Sequence, residues 1–324
     1  VETINQIHNL PLLINIFFNI ISIGSEKKIL VDKEKPGEKL CLALEGMGTT
    51  FIKLGQFLAT RPDIIGEETA KNLEKLQDKL PAFDTYHAKK IIKKEIGESQ
   101  YNNILELSEP IAAASIAQVH IAKIKDENES KEVAIKILRP DIEKLFNEEL
   151  DALMLFAYIV ENTFTKAKRL KLIEVVYLLK EITNVEMDLR FEAAAANELY
   201  ENTINDKGFN VPKIYWNYTT KKILTLDKVN GVSIREYKKI KETGIDLKIL
   251  AENLIQHFLK QAIRDGFFHG DMHQGNLFVD QQGNIIPVDF GIMGRLDNNN
   301  RKFLAEILYR FIKRDYMKVA EVHF

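Results

Sequence analysis

The sequence predicts an α+β protein with two lobes, preceded by an all-helical segment. Residues 1–108 follow an almost continuous helical period, and two strand-rich blocks interrupt the helices that come after them. A chain of 324 residues, 45% of them hydrophobic, can bury more than one core. We therefore predict a helical extension at 1–108, a first lobe at 109–230 and a second lobe at 231–324.

The helical extension is predicted from apolar periodicity at 40–60, 66–80 and 86–97, with Pro62 and Pro81 as breakers. Nearer the start of the extension, residues 10–23 are apolar but are interrupted by polar residues and by Pro11, so they are too short to span a membrane. This stretch is either an amphipathic helix at a membrane face or a helix packed on the core.

The first lobe begins where the period changes to that of strands. Strands are predicted at 116–123 and 132–138, joined by a charged turn. Long helical patterns follow at 142–164 and 172–202, and strand character returns at 211–215 and 223–226.

The second lobe carries the most informative pattern. An amphipathic helix at 247–265 leads to Asp271, and Asn276 follows it at the D-x-x-x-x-N spacing of a protein-kinase catalytic loop. A hairpin of 276–279 and 285–288 then presents Asp289 within D-F-G. We predict that Asp271 is catalytic and that Asn276 and Asp289 hold Mg²⁺, a hard cation that takes oxygen ligands.

A lysine for the nucleotide phosphates is predicted at Lys136, because residues 133–136 read V-A-I-K. Such a lysine needs a carboxylate partner, and the predicted helix 172–202 offers Glu186, Asp188 and Glu192. Glu192 is our choice for a catalytic partner, because the residues around it are apolar and indicate close packing.

An alanine-rich run stands where a kinase would have its glycine-rich loop. Alanine resists positive φ by about 1–2 kcal/mol, so this loop should be stiffer than a glycine-rich one. We predict that it binds ATP. The alanine loop consists of Ala112, Ala113, Ala114, Ser115, Ile116, Ala117, Gln118 and Val119.

Composition excludes several classes of protein. The net charge of −2 gives no basic excess for binding nucleic acid. The single cysteine allows no internal disulfide and fits a reducing compartment.

Taken together, these motifs resemble the UbiB family of atypical, protein-kinase-like proteins, and the bacterial branch in particular. The family has a K-x-G-Q signature in a helical extension, which Lys53, Gly55 and Gln56 match within 53–56. It also has an alanine-rich loop and an E-x-D signature, matched by 112–118 and 186–188. The resemblance implies that the extension packs over the active site, with Lys53 pairing with Glu186 or Asp188 and Gln56 lining the same regulatory roof.

The family resemblance also implies cofactors and partners. They are ATP or ADP with Mg²⁺, and the enzymes or lipid precursors of ubiquinone biosynthesis at a membrane surface. We expect the cytoplasmic face of a bacterial inner membrane, and a chain that ends before C-terminal membrane helices. We leave open whether the protein forms a homodimer. The lack of A-P-E after Gly291 argues against phosphorylation of peptides.

The predicted function is an atypical kinase or ATPase that supports ubiquinone biosynthesis. One alternative is a nucleotide-gated scaffold or lipid chaperone for ubiquinone enzymes. A second alternative is a small-molecule kinase of the aminoglycoside or choline type, which shares H-G-D-x-x-x-x-N but lacks the motifs at 53–56 and 112–118.

His269 is expected to be structural, whereas His273 either supports the metal site or lies at the surface. The phosphoryl acceptor stays open.

Overall fold

The computed structural model describes residues 36–323, apart from 48, 60–61, 75, 77–80, 127–128, 164–167 and 170. The apolar stretch at 10–23 lies outside the described residues. The chain forms two compact units that alternate along the sequence. Unit 1 comprises Val1–Ile91, Pro110–Val119 and Ile137–Met187, and unit 2 comprises Ile92–Glu109, His120–Lys136 and Asp188–Phe324. The division at 108 and 230 stays a prediction.

Unit 1 is built mainly from helices. They are α1 (Pro36–Met47), α2 (Thr49–Ala59), α3 (Pro62–Ile65), α4 (Glu67–Leu73), the first turns of α5 (Thr85–Tyr101), α6 (Ile142–Thr163) and α7 (Leu172–Glu186). Apart from α5, these helices contribute apolar residues to one core, which includes Leu44, Phe51, Leu73, Leu150, Leu153 and Leu179.

Two contacts show how α2 is held in this core. The Thr50 N–H in its first turn donates to the buried carboxylate of Glu149 on α6, at 3.3 Å. This bond satisfies one of the donors that a helix N-terminus leaves open. Farther along, a Cβ on Gly55 would overlap the side chains of Leu44 and Leu76. Glycine at this position therefore lets α2 approach its neighbours closely.

Among the described residues, the strands form three sheets. The largest has the order β1-β2-β3-β4, the second β5-β7-β8 and the third β6-β9. The strands are β1 (Ile104–Ala113), β2 (Ala117–Asp126), β3 (Glu129–Leu138), β4 (Ile223–Asp227), β5 (Val232–Ser233), β6 (Phe267–His269), β7 (Leu277–Val279), β8 (Ile285–Pro287) and β9 (Met293–Arg295).

The helices of unit 2 lead to and from the short strands. They are α8 (Leu189–Thr203), α9 (Tyr237–Glu242), α10 (Leu247–Leu259), α11 (Asn298–Ile312) and α12 (Tyr316–His323). A π-helix, Lys260–Asp265, continues α10 and ends at Gly266 in the left-handed conformation. The chain then enters β6, which ends at the predicted catalytic loop.

Several predicted elements differ from the structure. The predicted helix 172–202 is two helices, because Asp188 has extended backbone and caps α8 by accepting from the Arg190 N–H. The predicted helix 247–265 changes to a π-helix after Leu259. The prediction also missed β1, which carries no clear alternation of apolar residues. At 211–215 the structure has one isolated bridge, Ile214 to Leu226, in place of a strand.

No helix among the described residues is both long enough and apolar enough to cross a lipid bilayer.

Candidate functional site

The centre of the candidate site in unit 2 is an ion pair between Lys136 and Glu192. Lys136 lies near the end of β3 and Glu192 in the first turn of α8. The ammonium donates to both carboxylate oxygens, at 2.9 and 2.8 Å. It also lies 3.4 Å from Oδ1 of Asp289. The predicted partner of Lys136 is therefore in contact with it, and one predicted metal ligand is beside it.

Burial and charge set the ionisation of this pair. Burial lowers the pKa of Lys136, but the carboxylates of Asp289 and Glu192 outweigh this effect and raise the pKa above its ordinary value. Burial raises the pKa of Glu192, opposed by the charge of Lys136 and by the Phe290 N–H, which bonds to the carboxylate. The lysine is therefore a fixed cation at neutral pH.

The catalytic loop joins two other predicted residues. The side-chain amide of Asn276 donates to Asp271, at 3.2 Å to its carbonyl oxygen and 3.4 Å to Oδ2. Asn276 is buried, whereas 42% of the Asp271 side chain is exposed. His273 Nε2 lies 3.7 Å from Asp271 Oδ2, and its Nδ1 accepts from the Gly275 N–H. The asparagine thus orients a carboxylate that remains open to a reactant.

His269 fixes the backbone between the two motifs. Its Nε2 donates to the Val288 carbonyl at 3.2 Å, and its Nδ1 accepts from the Asp271 N–H at 3.1 Å. These bonds require the neutral ring. Burial lowers the pKa of His269, against the smaller raising effects of Asp289 and Asp271. This position agrees with the structural role expected from the sequence.

The β7–β8 hairpin brings Asn276 next to the D-F-G segment. The Val288 N–H donates to the Asn276 carbonyl at 2.8 Å, directly before Asp289. Asp289 has a positive φ of 60°, which is uncommon outside glycine. Glu192, Lys136 and Asp289 are therefore linked by side-chain contacts, and the backbone bond of Val288, the residue before Asp289, continues the series to Asn276 and Asp271.

The donor set fits Mg²⁺. Asn276 uses its side-chain nitrogen on Asp271, so its side-chain oxygen, Oδ1, is left for a cation, and 54% of the Asp289 side chain is exposed. Within the described ranges, no three His, Cys, Asp or Glu side chains form a group that could hold a metal. Mg²⁺ is bound by one or two carboxylates plus phosphates and waters, so two protein oxygens are a reasonable set.

The predicted regulatory residues lie mostly in unit 1. Lys53 Nζ is 2.6 Å from Glu186 Oε2, with 15% and 21% of the two side chains exposed. Gln56 lies on the same helix, α2, and is half-buried. Asp188 belongs to unit 2 and forms a bidentate pair with Arg190. Of the two acids expected to pair with Lys53, the structure thus selects Glu186.

The alanine loop is a tight hairpin turn between β1 and β2. The Ala114 N–H donates to the Ala117 carbonyl at 2.8 Å. Ala112 is exposed and Ala113, Ala114 and Val119 are partly exposed, whereas Ser115, Ile116, Ala117 and Gln118 are at most 8% exposed. The loop belongs to unit 1 and the Lys136 centre to unit 2.

Sequence reasoning missed the neighbours that hold these residues. Arg139, at the loop's base, donates through Nε and Nη2 to the Ala114 carbonyl, at 3.0 and 2.7 Å. An arginine one residue after β3 was a visible signal, whereas nothing in the sequence marked Phe83 as its neighbour.

A separate cavity of about 240 Å³ is lined by Gly231, Val279 and Asp280 among others, and none of the predicted site residues lines it.

Comparison with protein families gives one match over most of the chain. The family model described as the ABC1 atypical kinase-like domain matches residues 75–323.

Curated relatives agree with this match. A protein named "Probable protein kinase UbiB" from Marinobacter nauticus is 38% identical over 292 residues, which cover 89% of this chain and 53% of that protein. A protein of the same name from Azotobacter vinelandii is 38% identical over 290 residues, covering 88% and 53%. The chain thus spans about half the length of the curated relatives it matches.

A solved structure supports the fold. The complex of Rv3197 with erythromycin from Mycobacterium tuberculosis superposes with a TM-score of 0.57 at 23% identity, covering 83% of this chain and 66% of that one. The predicted α+β, kinase-like fold is confirmed. The placement of the helical extension over the active site stays a prediction.

Proposed function

Because the chain belongs to the ABC1 atypical kinase-like family, and to the UbiB proteins within it, we propose that it is a Mg²⁺-dependent atypical kinase or ATPase supporting ubiquinone biosynthesis. The observation that carries the proposal is the series of contacts from Glu192 through Lys136 and Asp289 to Asn276 and Asp271. A lysine, two oxygen ligands and a half-exposed carboxylate are the parts that phosphoryl transfer requires.

Lys136 orients the α- and β-phosphates of ATP in this proposal. Its ammonium stays charged and is held by two oxygens of Glu192, so it needs no reorganisation when the nucleotide binds. A fixed charge in a partly buried site is worth more than the same charge in water.

Asn276 and Asp289 would hold Mg²⁺. When bound, the ion would neutralise negative charge on the phosphates. Asp271 positions the nucleophile, either water or a hydroxyl group, and accepts its proton. The hydrogen bonds from Asn276 leave the outer part of the Asp271 carboxylate open for this role.

The test is the Asp271→Asn variant. We expect nucleotide turnover to fall by at least about 100-fold, the usual range for losing a general base, while Mg²⁺-ATP still binds. Phosphate release and calorimetric titration measure the two properties.

Asp297→Asn is the matched control, because Asp297 caps α11 and asparagine is an equally good cap. It should leave both properties unchanged. If Asp271→Asn left nucleotide turnover unaltered, the proposed enzymatic function would be refuted.

One observation favours a nucleotide-gated scaffold or lipid chaperone instead. Four consecutive residues of the alanine loop are buried, so their backbone is not open to phosphates in this conformation. This candidate predicts that Mg²⁺-ATP stabilises the protein against heat, whereas no labelled phosphate passes to water, lipid or protein. Phosphate release that depends on Asp271 would rule it out.

The ubiquinone role and the membrane setting rest on the family. We propose that the protein acts on lipid precursors or enzymes of this pathway, at the cytoplasmic face of a bacterial inner membrane. Flotation with anionic vesicles, with and without a phenolic quinone precursor, tests this setting. Failure to float under either condition would count against it.

A further inference from the structure

The alanine loop is fastened at its base by Arg139. Besides the two side-chain donors on the Ala114 carbonyl, the Arg139 N–H donates to the Ile116 carbonyl at 2.8 Å. Two of the loop's carbonyl oxygens are therefore bound by a single residue. Both peptides are trans, so the N–H groups of Ser115 and Ala117 point away from these bonds.

A second group of contacts fastens the loop to the segment before α5. The Gln118 side chain accepts from the Phe83 N–H at 2.8 Å and donates to the Phe83 carbonyl at 3.1 Å. The Phe83 ring in turn lies 5.9 Å from the Arg139 guanidinium carbon, within the range of a cation–π contact. Phe83, Gln118 and Arg139 thus form one clamp, and all three belong to unit 1.

The clamp holds the loop in a closed conformation. Ser115 and Gln118 are 0% and 1% exposed, so the backbone between them is shielded from solvent. Phosphate binding by a turn uses backbone N–H groups that the ligand can reach. The loop must therefore open before its buried N–H groups can meet a phosphate.

We propose that Arg139 is a positioning residue that keeps the alanine loop closed and so limits the access of nucleotide phosphates to its backbone. This inference rests on the proposed nucleotide-binding function of the loop. Only a fraction of molecules is open at any time, and the apparent affinity for the nucleotide falls by that fraction. A weaker clamp therefore gives tighter binding of phosphates.

The test compares Arg139→Met with unaltered protein, using Mg²⁺-ATP and adenosine as probes. Loss of the charged hydrogen bonds and of the cation–π contact should strengthen Mg²⁺-ATP binding by about tenfold. Adenosine has no phosphates, so its affinity should stay within about twofold. Arg139→Lys keeps one charged donor and should give an intermediate value. A variant that merely damages the fold would weaken both ligands.

Hydrogen exchange gives a readout that does not depend on any nucleotide. The amides of residues 114–118 should exchange about tenfold faster in Arg139→Met, because the loop opens more often. Phe83→Leu, which keeps the backbone groups that bond to Gln118, should speed this exchange by a smaller factor. Arg295→Met is the matched control and should leave the exchange at 114–118 unchanged. Arg295 likewise lies over an aromatic ring, that of Phe267, and it pairs with Glu198, but it lies in unit 2.

The outcomes separate this inference from the proposed function. If unaltered protein binds nucleotide but Arg139→Met changes neither the ratio of the two affinities nor the exchange at 114–118, the clamp is refuted and the proposed function stands. Weaker Mg²⁺-ATP binding in Arg139→Met also refutes it. If unaltered protein binds no nucleotide, both are refuted.

Discussion

At the level of single residues, the central contact of the candidate site is the largely buried ion pair of Lys136 with Glu192. Only 19% and 9% of the two side chains are exposed, so neither charge is well solvated alone. The sequence allowed the lysine to be identified from V-A-I-K. It allowed the glutamate to be chosen from its apolar surroundings, although the prediction that Asp188 lies within the same continuous helix was wrong. Asp188 caps α8 and points its carboxylate to Arg190.

Removing the lysine charge should be costly. In Lys136→Met the carboxylate of Glu192 stays buried without its cation, which typically costs about 3–5 kcal/mol. The double variant with Glu192→Gln should recover much of this loss. Urea unfolding of the single and double variants measures the difference.

The control for this pair is Lys131→Met on the same strand. Lys131 pairs with Asp126 at 2.7 Å, but 39% and 33% of these side chains are exposed. Such a pair is worth about 0–1 kcal/mol. If Lys131→Met and Lys136→Met lost the same unfolding free energy, burial would not strengthen the Lys136 pair.

The neutral state of His269 makes stability depend on pH. Its pKa is lowered from the ordinary 6.5 in the folded chain, so the unfolded chain binds more protons near and below that pH. The free energy of unfolding should therefore fall as pH drops through 6.5, by up to about 1.4 kcal/mol per pH unit for each such histidine. His257, whose pKa burial also lowers, contributes in the same direction.

Unfolding by urea between pH 5 and 8 checks this prediction. His269→Asn should flatten the dependence, whereas His87→Asn, at an exposed position, should leave it as it is. A profile that does not change in His269→Asn would contradict the assignment.

At the scale of elements, the chain before the catalytic loop could be predicted in kind but not in detail. Its amphipathic period indicated a helix over 247–265, and that stretch is helical. The change to a π-helix at Lys260 leaves no mark in the apolar pattern, since it comes from how the backbone packs. The strand β1 was missed for a similar reason. It is stabilised by its pairing with β2, and its own sequence pattern does not reveal it.

Gly266, where the π-helix ends, should not tolerate a side chain. Its φ is +68°, and a Cβ there would lie 2.5 Å from the Leu296 carbonyl oxygen. Alanine at such a φ alone costs about 1–2 kcal/mol. Gly266→Ala should lose more than this in a thermal or urea unfolding experiment.

Gly283→Ala isolates the effect of the carbonyl oxygen. Gly283 has a φ of +83°, but its nearest neighbour to a Cβ would be a methyl group of Ile245 at 3.9 Å. Gly283→Ala should therefore lose only about 1–2 kcal/mol of unfolding free energy, the cost of placing alanine at a positive φ. If Gly266→Ala lost less unfolding free energy than Gly283→Ala, the turn before β6 would have to relax freely around the new side chain.

At the scale of the whole molecule, the short motifs predicted more than the long patterns did. D-x-x-x-x-N, D-F-G and V-A-I-K pointed to residues that the structure brings together in unit 2, through side-chain contacts and the backbone bond of Val288. The interleaving of the two units could not be predicted, because a strand or helix that passes from one unit to the other has a continuous local pattern. The clamp on the alanine loop was equally hidden, since Phe83 and Arg139 are far apart in sequence.

Nucleotide binding should be visible in the stability of the chain. A ligand at 100 times its dissociation constant stabilises the folded state by about 2.7 kcal/mol, which raises the melting temperature by a few degrees. We expect this shift with Mg²⁺-ATP and its loss in Asp289→Asn. Asp265→Asn, at an ion pair with Arg264, should keep it. If Mg²⁺-ATP leaves the melting temperature of unaltered protein unchanged, the metal and phosphate assignments are wrong.

The division into two units has a practical consequence for spectroscopy. The chain has one tryptophan and one cysteine: Trp216 belongs to unit 2 and Cys41 to unit 1. A fluorescent acceptor attached to the Cys41 thiol would therefore receive energy from a single tryptophan, and no residue would have to be substituted to create either position. Changes in that transfer on adding ATP, ADP or vesicles would report on movement of one unit relative to the other.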